Sequence, residues 1–255
     1  MDYLSVEEGR KRPGMKLVLT KGYLAPWSES AKAVFRLRDV YYRAVEQKAG
    51  EANDALVDWT GMRNAPIAIY GEEPPRANYL EILMLAERLG THHSLIPTEA
   101  IERLLCLGAC ADIAGDGGFG WNMRLLMFAA IYGEPSGANT YPPLVAQILS
   151  DYSFNRDTLQ RAKGRAIEIM QGLDELLAQS GQGYLVGEEV TAADIYWAIF
   201  SNMVVPLPHD VNPMPDAQRV MYDCKDEEIL DAFSPTLREH RDRIYKEHLG
   251  FPVVF

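Results

Sequence analysis

The architecture of this chain can be worked out from one segment, Gly183-Tyr-Leu-Val-Gly-Glu-Glu-Val-Thr-Ala-Ala-Asp-Ile-Tyr-Trp-Ala-Ile-Phe-Ser-Asn-Met203. Thr191 and Asp194 form a helix start signal, because each side chain can bond the main-chain amide of the other. Val190 and Ile195 are both apolar, which is the arrangement of a hydrophobic staple. The helix that follows is apolar on nearly every face, so we expect it to lie inside a core. The Thr-x-x-Asp pattern alone is also typical of any ordinary capped helix.

Length and composition indicate a folded, acidic protein with one large domain or two modest ones. Of the 255 residues, 47% are hydrophobic, which is enough for a sizeable core and is unlike a disordered chain. The formal net charge of −11 disfavours a nucleic-acid partner, which usually requires a basic surface. No apolar run reaches the length of a membrane span, and the first residues lack a signal-peptide pattern. We therefore expect a cytoplasmic protein without a membrane partner.

Three cysteines, Cys106, Cys110 and Cys224, are too few and odd in number for a disulfide framework. Cys106 and Cys110 lie one helical turn apart, but no histidine or further cysteine completes a metal-ligand set. Buried helix thiols are the commoner role for such residues. We predict no metal site.

The first part of the chain alternates between strand and helix patterns. We expect residues 1–14 to be a loosely ordered extension, because they are polar. Pro66 must stand at the start or edge of its strand, since proline cannot donate to a sheet ladder. The expected elements are a strand over 16–20, a helix from about Ser28, a strand over 41–46, a short helix over 53–60, a strand over 64–70, and a helix over 79–89 that Asn78 caps.

From Pro97 onward the pattern is helical, with little strand signal. A long helix is expected between Leu159 and Leu177, and a last helix to Leu249 that starts after the cap Ser234. The apolar tail, residues 250–255, is expected to pack back on the body. The sequence therefore predicts an α/β unit followed by an all-α unit.

Three motifs follow one another within residues 16–203. They are Tyr23-Leu-Ala-Pro-Trp-Ser-Glu-Ser-Ala-Lys-Ala-Val-Phe35; Ala65-Pro66 with a strand and then Leu85-Ala-Glu-Arg-Leu-Gly90; and Gly187 through Ile195. In this order and spacing the chain resembles the cytosolic glutathione S-transferase family.

The resemblance implies a thioredoxin-like N-terminal domain followed by a helical-bundle C-terminal domain. It places an N-terminal extension at 1–14, the thioredoxin-like glutathione-binding domain at 15–91 and the all-helical domain at 97–255. It also implies glutathione as co-substrate, an electrophile pocket between the domains, and a homodimer.

In such an enzyme the glutathione thiol must ionise before it attacks an electrophile. A hydrogen bond to a charged group is worth roughly 1.5–3 kcal/mol, so one donor aimed at the sulfur lowers the thiol pKa by about one to two units. Ser28, at the loop–helix junction, is the first choice for this donor, although it is equally explained as a plain N-cap. The family's usual catalytic position falls on Trp27, a departure from its pattern, and Ser30 and Tyr23 are reserves.

The resemblance also assigns the residues that would hold glutathione. Ala65-Pro66 corresponds to the family's cis-proline, where the preceding residue pairs with the cysteinyl backbone. Ala77 and Asn78 occupy the positions of the acidic–serine pair that binds the γ-glutamyl carboxylate; Asn78 keeps the capping role. Arg76 is placed to meet a carboxylate, although such a residue is more often solvated.

Candidate walls of the electrophile pocket are aromatic, although each is also explained as core packing: Trp27, Trp121, Phe128 and Tyr132. Asp112 falls close to an apolar helix face, so it either lines the pocket or is a buried hydrogen-bond partner; we favour the structural role. The function expected is transfer of glutathione to a small hydrophobic electrophile. The alternative is a catalytically silent transferase-fold protein that binds ligands or partners. A glutathione-dependent reductase or isomerase is disfavoured, because the loop before the first helix has no cysteine.

Overall fold

The computed structural model describes residues 1–136, 140–181 and 183–254. Its strands are β1 (Lys16–Thr20), β2 (Arg43–Gln47) and β3 (Ile67–Ile69). Its α-helices are α1 (Val6–Lys11), α2 (Pro26–Leu37), α3 (Asp54–Thr60), α4 (Tyr79–Leu89), α5 (Ala100–Ala114), α6 (Phe119–Tyr132), α7 (Pro143–Asp151), α8 (Arg156–Ser180), α9 (Ala192–Phe200), α10 (Asp216–Tyr222), α11 (Glu227–Ala232) and α12 (Pro235–Ile244). A 3₁₀ turn (Ser201–Met203) follows α9 and a π turn (Tyr245–Leu249) follows α12.

The three strands form a small mixed sheet in the order β2–β1–β3. Strand β1 is parallel to β2 and antiparallel to β3. All five residues of β1 are buried, and their side chains alternate between two cores, as a strand covered on both faces requires. Leu17 and Leu19 join the main core, whereas Val18 packs in a second cluster with Leu56 of α3. The thioredoxin-like first half followed by a helical second half is therefore confirmed.

Helix α9 lies in the main core, as its all-round apolar sequence predicts. All nine of its residues are buried. The Asp194 carboxylate accepts hydrogen bonds from the main-chain amide of Thr191 at 2.8 Å and from the Thr191 hydroxyl at 2.7 Å. It also accepts from the amide of Leu185 at 2.7 Å and contacts Nε2 of His240 at 2.8 Å. The predicted cap is therefore confirmed. Because a buried carboxylate needs several hydrogen-bond partners, Asp194 also binds the loop at Leu185 and helix α12 at His240.

The prediction of a loosely ordered segment over residues 1–14 is wrong. Leu4 forms a parallel bridge with Val45 of β2, and Ser5 and Glu8 form a capping box that starts α1. Gly9 packs on β2, where a Cβ atom would stand 2.6 Å from the Val45 side chain. The segment thus widens the sheet beside its edge strand β2. The second bridge, between Ala68 and Arg76, does the same beside the other edge strand, β3.

The chain end packs back on the body, as its apolar sequence predicts. The amide of Val253 donates to the carbonyl of Val211 at 2.9 Å, and the Phe251 ring stacks on Tyr245 with 5.6 Å between centroids. Arg36 of α2 donates to the carbonyls of His248 and Leu249. In the part of the chain described, none of the helices combines the length and the apolarity that crossing a membrane requires.

Candidate functional site

The register of the sheet brings three predicted site segments to one end. Val18 pairs with Ile67, so the loop that follows β1 and the Ala65-Pro66 pair that precedes β3 lie at the same end of the sheet. Arg76 bridges Ala68 in antiparallel sense, which places Asn78 at that end as well. The starts of α2 and α4 therefore meet the loop before β3, as the predicted site requires.

Some main-chain groups at this end have no partner among the residues that the structure describes. The Ala65–Pro66 peptide bond is cis. No described residue bonds the N–H or C=O of Ala65. Helix α2 begins at Pro26, two residues before the expected start, and its N-cap Ala25 offers no side-chain acceptor. The first turn of α2 therefore has no side-chain cap, and the helix dipole favours an anion at this end.

The start of α4 is capped as predicted. The side-chain oxygen of Asn78 accepts from the amide of Leu80 at 2.9 Å. Arg76 is not free, because it donates to Glu73 at 2.5 Å, and Arg88 binds the same carboxylate. Hydrogen bonds from Arg88 and then Arg76 lower the pKa of Glu73 below its usual value. Ala77 is half-buried and packs against the second core cluster, so its side chain has no polar role.

Three of the four candidate donors are engaged within the protein. Ser28 is fully buried, and its hydroxyl accepts from the amide of Thr20 at 3.2 Å. Ser30 is buried and donates to the carbonyl of Trp27 at 3.0 Å. The indole N–H of Trp27 donates to the carbonyl of Ala114 in α5 at 2.8 Å. The geometry therefore does not favour Ser28 as the thiol donor.

Tyr23 is the candidate that reaches the surface. It is 43% exposed, and its hydroxyl makes no hydrogen bond with the described residues. The loop that carries it is fixed at the next residue, because the Gln218 side chain bonds both the amide and the carbonyl of Leu24, at 3.0 and 2.7 Å. Tyr222 adds a hydrogen bond to the same carbonyl at 2.8 Å. Helix α10 thus holds the loop beside the start of α2, a contact that local sequence patterns do not reveal.

An aromatic cluster lies where the two halves of the chain meet. Tyr152, which the sequence analysis did not select, is at its centre, with ring centroids 4.8 Å from Trp121, 5.3 Å from Phe128 and 6.4 Å from Trp27. Tyr132 stands at the edge, 38% exposed and 6.3 Å from Phe128. Three of the predicted pocket walls are therefore brought together around a tyrosine that no sequence motif marks.

Asp112 is a hydrogen-bond partner of a neighbouring helix, the structural role that we favoured, because Arg165 of α8 donates to its carboxylate at 2.5 Å. The expected burial is wrong, since the Asp112 side chain is exposed.

Arg124 is a cation beside the aromatic cluster that the sequence did not single out. Its guanidinium donates to the Tyr222 hydroxyl at 3.3 Å, and its buried Nε has no partner. Burial raises the pKa of Tyr152, so that neighbour remains a neutral phenol near neutral pH. Among the described residues, the partners of Arg124 are thus the phenol hydroxyls of Tyr222 and Tyr152.

Residues from the helical half also reach the loop before β3. Asp151, at the end of α7, forms an ion pair with Arg63 and accepts from the side-chain amide of Asn64. The candidate site is therefore bounded on one side by the α/β half and on the other by α7 and α10.

Solved structures with the same overall fold are glutathione S-transferases. The human glutathione-S-transferase T1-1, in its apo form, aligns with a TM-score of 0.63 at 15% identity, over 93% of this chain and 84% of that one. A glutathione S-transferase from Methylobacterium radiotolerans, in complex with glutathione sulfonate, aligns with a TM-score of 0.63 at 14% identity over 91% of each chain. A glutathione S-transferase from the hookworm Necator americanus, described as monomeric, gives 0.58 at 16% identity over 92% of each. The chain has the glutathione S-transferase fold.

The glutathione S-transferase fold is carried here by a sequence that has diverged far. No family model matches the chain, and no curated protein matches it. Within the ranges that the structure covers, no cluster of histidine, cysteine and acidic residues is arranged to hold a metal ion. Cys106, Cys110 and Cys224 are free thiols.

Proposed function

We propose that the protein is a divergent glutathione S-transferase, which holds glutathione between the starts of α2 and α4 and transfers it to a small hydrophobic electrophile. Two sets of main-chain groups at one end of the sheet support this, because they have no side-chain or main-chain partner among the described residues: those of Ala65 and the first amides of α2. The start of α4, which Asn78 caps, lies at the same end. Peptide amides and helix starts of this kind bind carboxylates and thiolates. The domain limits 15–91 and 97–255 and a cytoplasmic location belong to the same proposal.

Tyr23, rather than Ser28, fits the role of thiol donor. Its hydroxyl is exposed and uncommitted, and Gln218 holds the adjoining residue in place. Donation to the sulfur would favour the thiolate by about one to two pKa units, and the helix start would add about 0.3–1 kcal/mol. The thiolate then attacks an aryl halide; a carbon–sulfur bond forms, the halide leaves with its electron pair, and the thiol proton passes to solvent.

The test is Tyr23→Phe, with the exposed Tyr41→Phe as matched control. We expect the pKa of bound glutathione, followed by thiolate absorbance, to rise by about one unit, and conjugation of 1-chloro-2,4-dinitrobenzene below that pKa to fall about tenfold. Glutathione affinity from calorimetry should change little. If the titration in Tyr23→Phe matches that in Tyr41→Phe, the assignment of Tyr23 is lost.

The second candidate is a catalytically silent protein of the same fold. It is favoured by one observation, namely that Ser28, Ser30 and Trp27 already donate inside the protein, Ser28 to the Thr20 hydroxyl at 3.4 Å. Calorimetry with glutathione separates the candidates: binding with conjugation supports the transferase, binding without it supports the silent protein, and no binding removes the glutathione site.

A homodimer also belongs to this proposal. Helix α5 exposes apolar side chains at spacings of three and four residues, which form one face: Ile101, Leu104 and Leu105. Met84 of α4 is exposed too. A contiguous apolar face of this kind is typical of a surface that another protein covers.

A further inference from the structure

A partly open cavity of about 510 Å³ lies against α2. It is bordered by a face of α2, the start of β2, the π turn and the chain end. None of the residues named above as parts of the glutathione site or the aromatic cluster lines it. Its volume is within the range of small-molecule sites, which is about 300–1,000 Å³.

The walls of this cavity, hereafter the tail cavity, are mainly apolar. They include Ala33, Val40, Ile199, Leu249, Val253 and Val254. Most of these residues come from elements far apart in sequence, and the chain end is fixed there because the carbonyl of Val254 accepts from Lys32 at 2.5 Å. The cavity is therefore a built feature of the fold.

The wall holds three carboxylates, Asp2, Glu29 and Asp39, and two cations, Lys32 and Arg36. Glu29 and Lys32 form an ion pair at 2.7 Å, with side chains only 8% and 12% exposed. Arg36 lies at the exposed rim and uses its guanidinium on two main-chain carbonyls. Lys32 and Arg36 are thus already engaged, and the carboxylates outnumber them, so an anion brought inside would meet no free cationic side chain among the described residues of the wall. The wall chemistry therefore favours an uncharged occupant over an anion.

One residue of the cavity wall, Tyr42, carries a hydroxyl group that is available to a ligand. Tyr42 lines the cavity, and its hydroxyl makes no hydrogen bond with the described residues. The nearby Tyr3 hydroxyl is buried without a partner. Burial, and then the Glu29 carboxylate, raise the pKa of Tyr3 to about 12 and raise that of Tyr42, so both are neutral phenols at physiological pH. A ligand with one hydrogen-bonding group would satisfy a phenol that the chain leaves open.

We propose that the tail cavity binds an uncharged, mostly apolar small molecule with a single hydrogen-bonding group, independently of glutathione. The cavity size, its neutral ion pair and the free Tyr42 hydroxyl carry this assignment. It does not depend on whether the protein transfers glutathione.

The experiment compares two fluorescent probes that differ by one charge. N-phenyl-1-naphthylamine is uncharged, and 1-anilinonaphthalene-8-sulfonate has the same skeleton with a sulfonate added. We expect the uncharged probe to bind one site per chain and at least tenfold more tightly than the sulfonate. Saturating glutathione should not displace it.

Two variants locate the binding. Ala33→Phe fills the cavity and should weaken the uncharged probe at least tenfold, whereas Ala178→Phe, the same change on an exposed face of α8, should not. Tyr42→Phe keeps the ring and removes the hydroxyl, so it should weaken binding about two- to tenfold. If Ala33→Phe fails to fold, Tyr42→Phe still tests whether the probe binds in the tail cavity.

Three results would overturn the assignment. The first is unchanged probe affinity in folded Ala33→Phe or in Tyr42→Phe. The second is displacement of the probe by glutathione, which would place it in the other site. The third is binding of the sulfonate as tight as that of the uncharged probe.

Discussion

Glu29 is a carboxylate held almost entirely out of water. Burial raises its pKa above the usual value of 4.5, and the Lys32 ammonium only partly opposes this shift. Because the folded state binds this proton more tightly than the unfolded chain, the contribution of Glu29 to the free energy of unfolding is fully present below about pH 4.5 and is lost as pH rises through its folded pKa. We predict that the stability difference between the wild type and Glu29→Gln falls as pH increases above 4.5.

Urea unfolding at several pH values measures this difference, because the linear extrapolation gives the free energy of unfolding at each pH. Glu51→Gln, at an exposed carboxylate, is the matched control and should give a difference that is flat with pH. A flat difference for Glu29→Gln as well would show that its carboxyl group titrates alike in the folded and unfolded chain.

Residue-level prediction succeeded where the interaction is local and failed where the partner is distant. Thr191 and Asp194 are three residues apart, so the cap that they form together can be predicted from the sequence. The orientation of the Ser28 side chain depends on where α2 begins. Because α2 begins at Pro26, the Ser28 hydroxyl faces Thr20 of β1. Asp112 finds its partner in Arg165, 53 positions away, which no helix periodicity can reveal.

At the scale of elements, the start of α6 lies against the Phe200 ring of α9, because Gly120 in α6 has no side chain. A Cβ atom on Gly120 would stand 2.3 Å from the ring of Phe200, which is fully buried and cannot swing aside. We predict that Gly120→Ala destabilises the protein by about 1–3 kcal/mol through overpacking. The midpoint of chemical unfolding measures this change.

The matched control is Gly172→Ala in α8, where nothing lies within 4 Å of the added atom. There the substitution should stabilise by about 0.5–1 kcal/mol, since alanine is the better helix former. Opposite signs at the two glycines are the expected outcome. Equal and stabilising effects would mean that the two helices are not packed as closely as described.

The order of elements was largely predictable, because strands and long helices leave periodic patterns. Helices α1, α7, α10 and α11 were not predicted, since elements of six to nine residues are too short to show a clear period. For α1, the pair Ser5 and Glu8 is a capping-box signal that was present. The clamp of Gln218 on Leu24 joins residues 194 positions apart. Contacts of this kind form only once the two halves of the chain have packed together. The elements that position the site could therefore be predicted from the sequence more fully than the residues that line it.

For the whole molecule, the decisive question is what covers the exposed apolar face of α5. Ile101, Leu104 and Leu105 are 62%, 67% and 44% exposed, which is unusual for neighbouring side chains on one face. If a second copy buries this face, a lysine at its centre would be desolvated without a partner and would weaken association more than about tenfold.

We predict that Leu104→Lys converts a dimer into a 28.6 kDa monomer in sedimentation velocity. Val220→Lys is the matched control, because Val220 is 75% exposed on α10, away from this face, and should leave the mass unchanged. A wild-type chain that sediments as a monomer at micromolar concentration would exclude the homodimer, and the apolar face would then need a different partner. Because the candidate site lies between the two halves of one chain, glutathione binding should survive in Leu104→Lys whichever result is obtained.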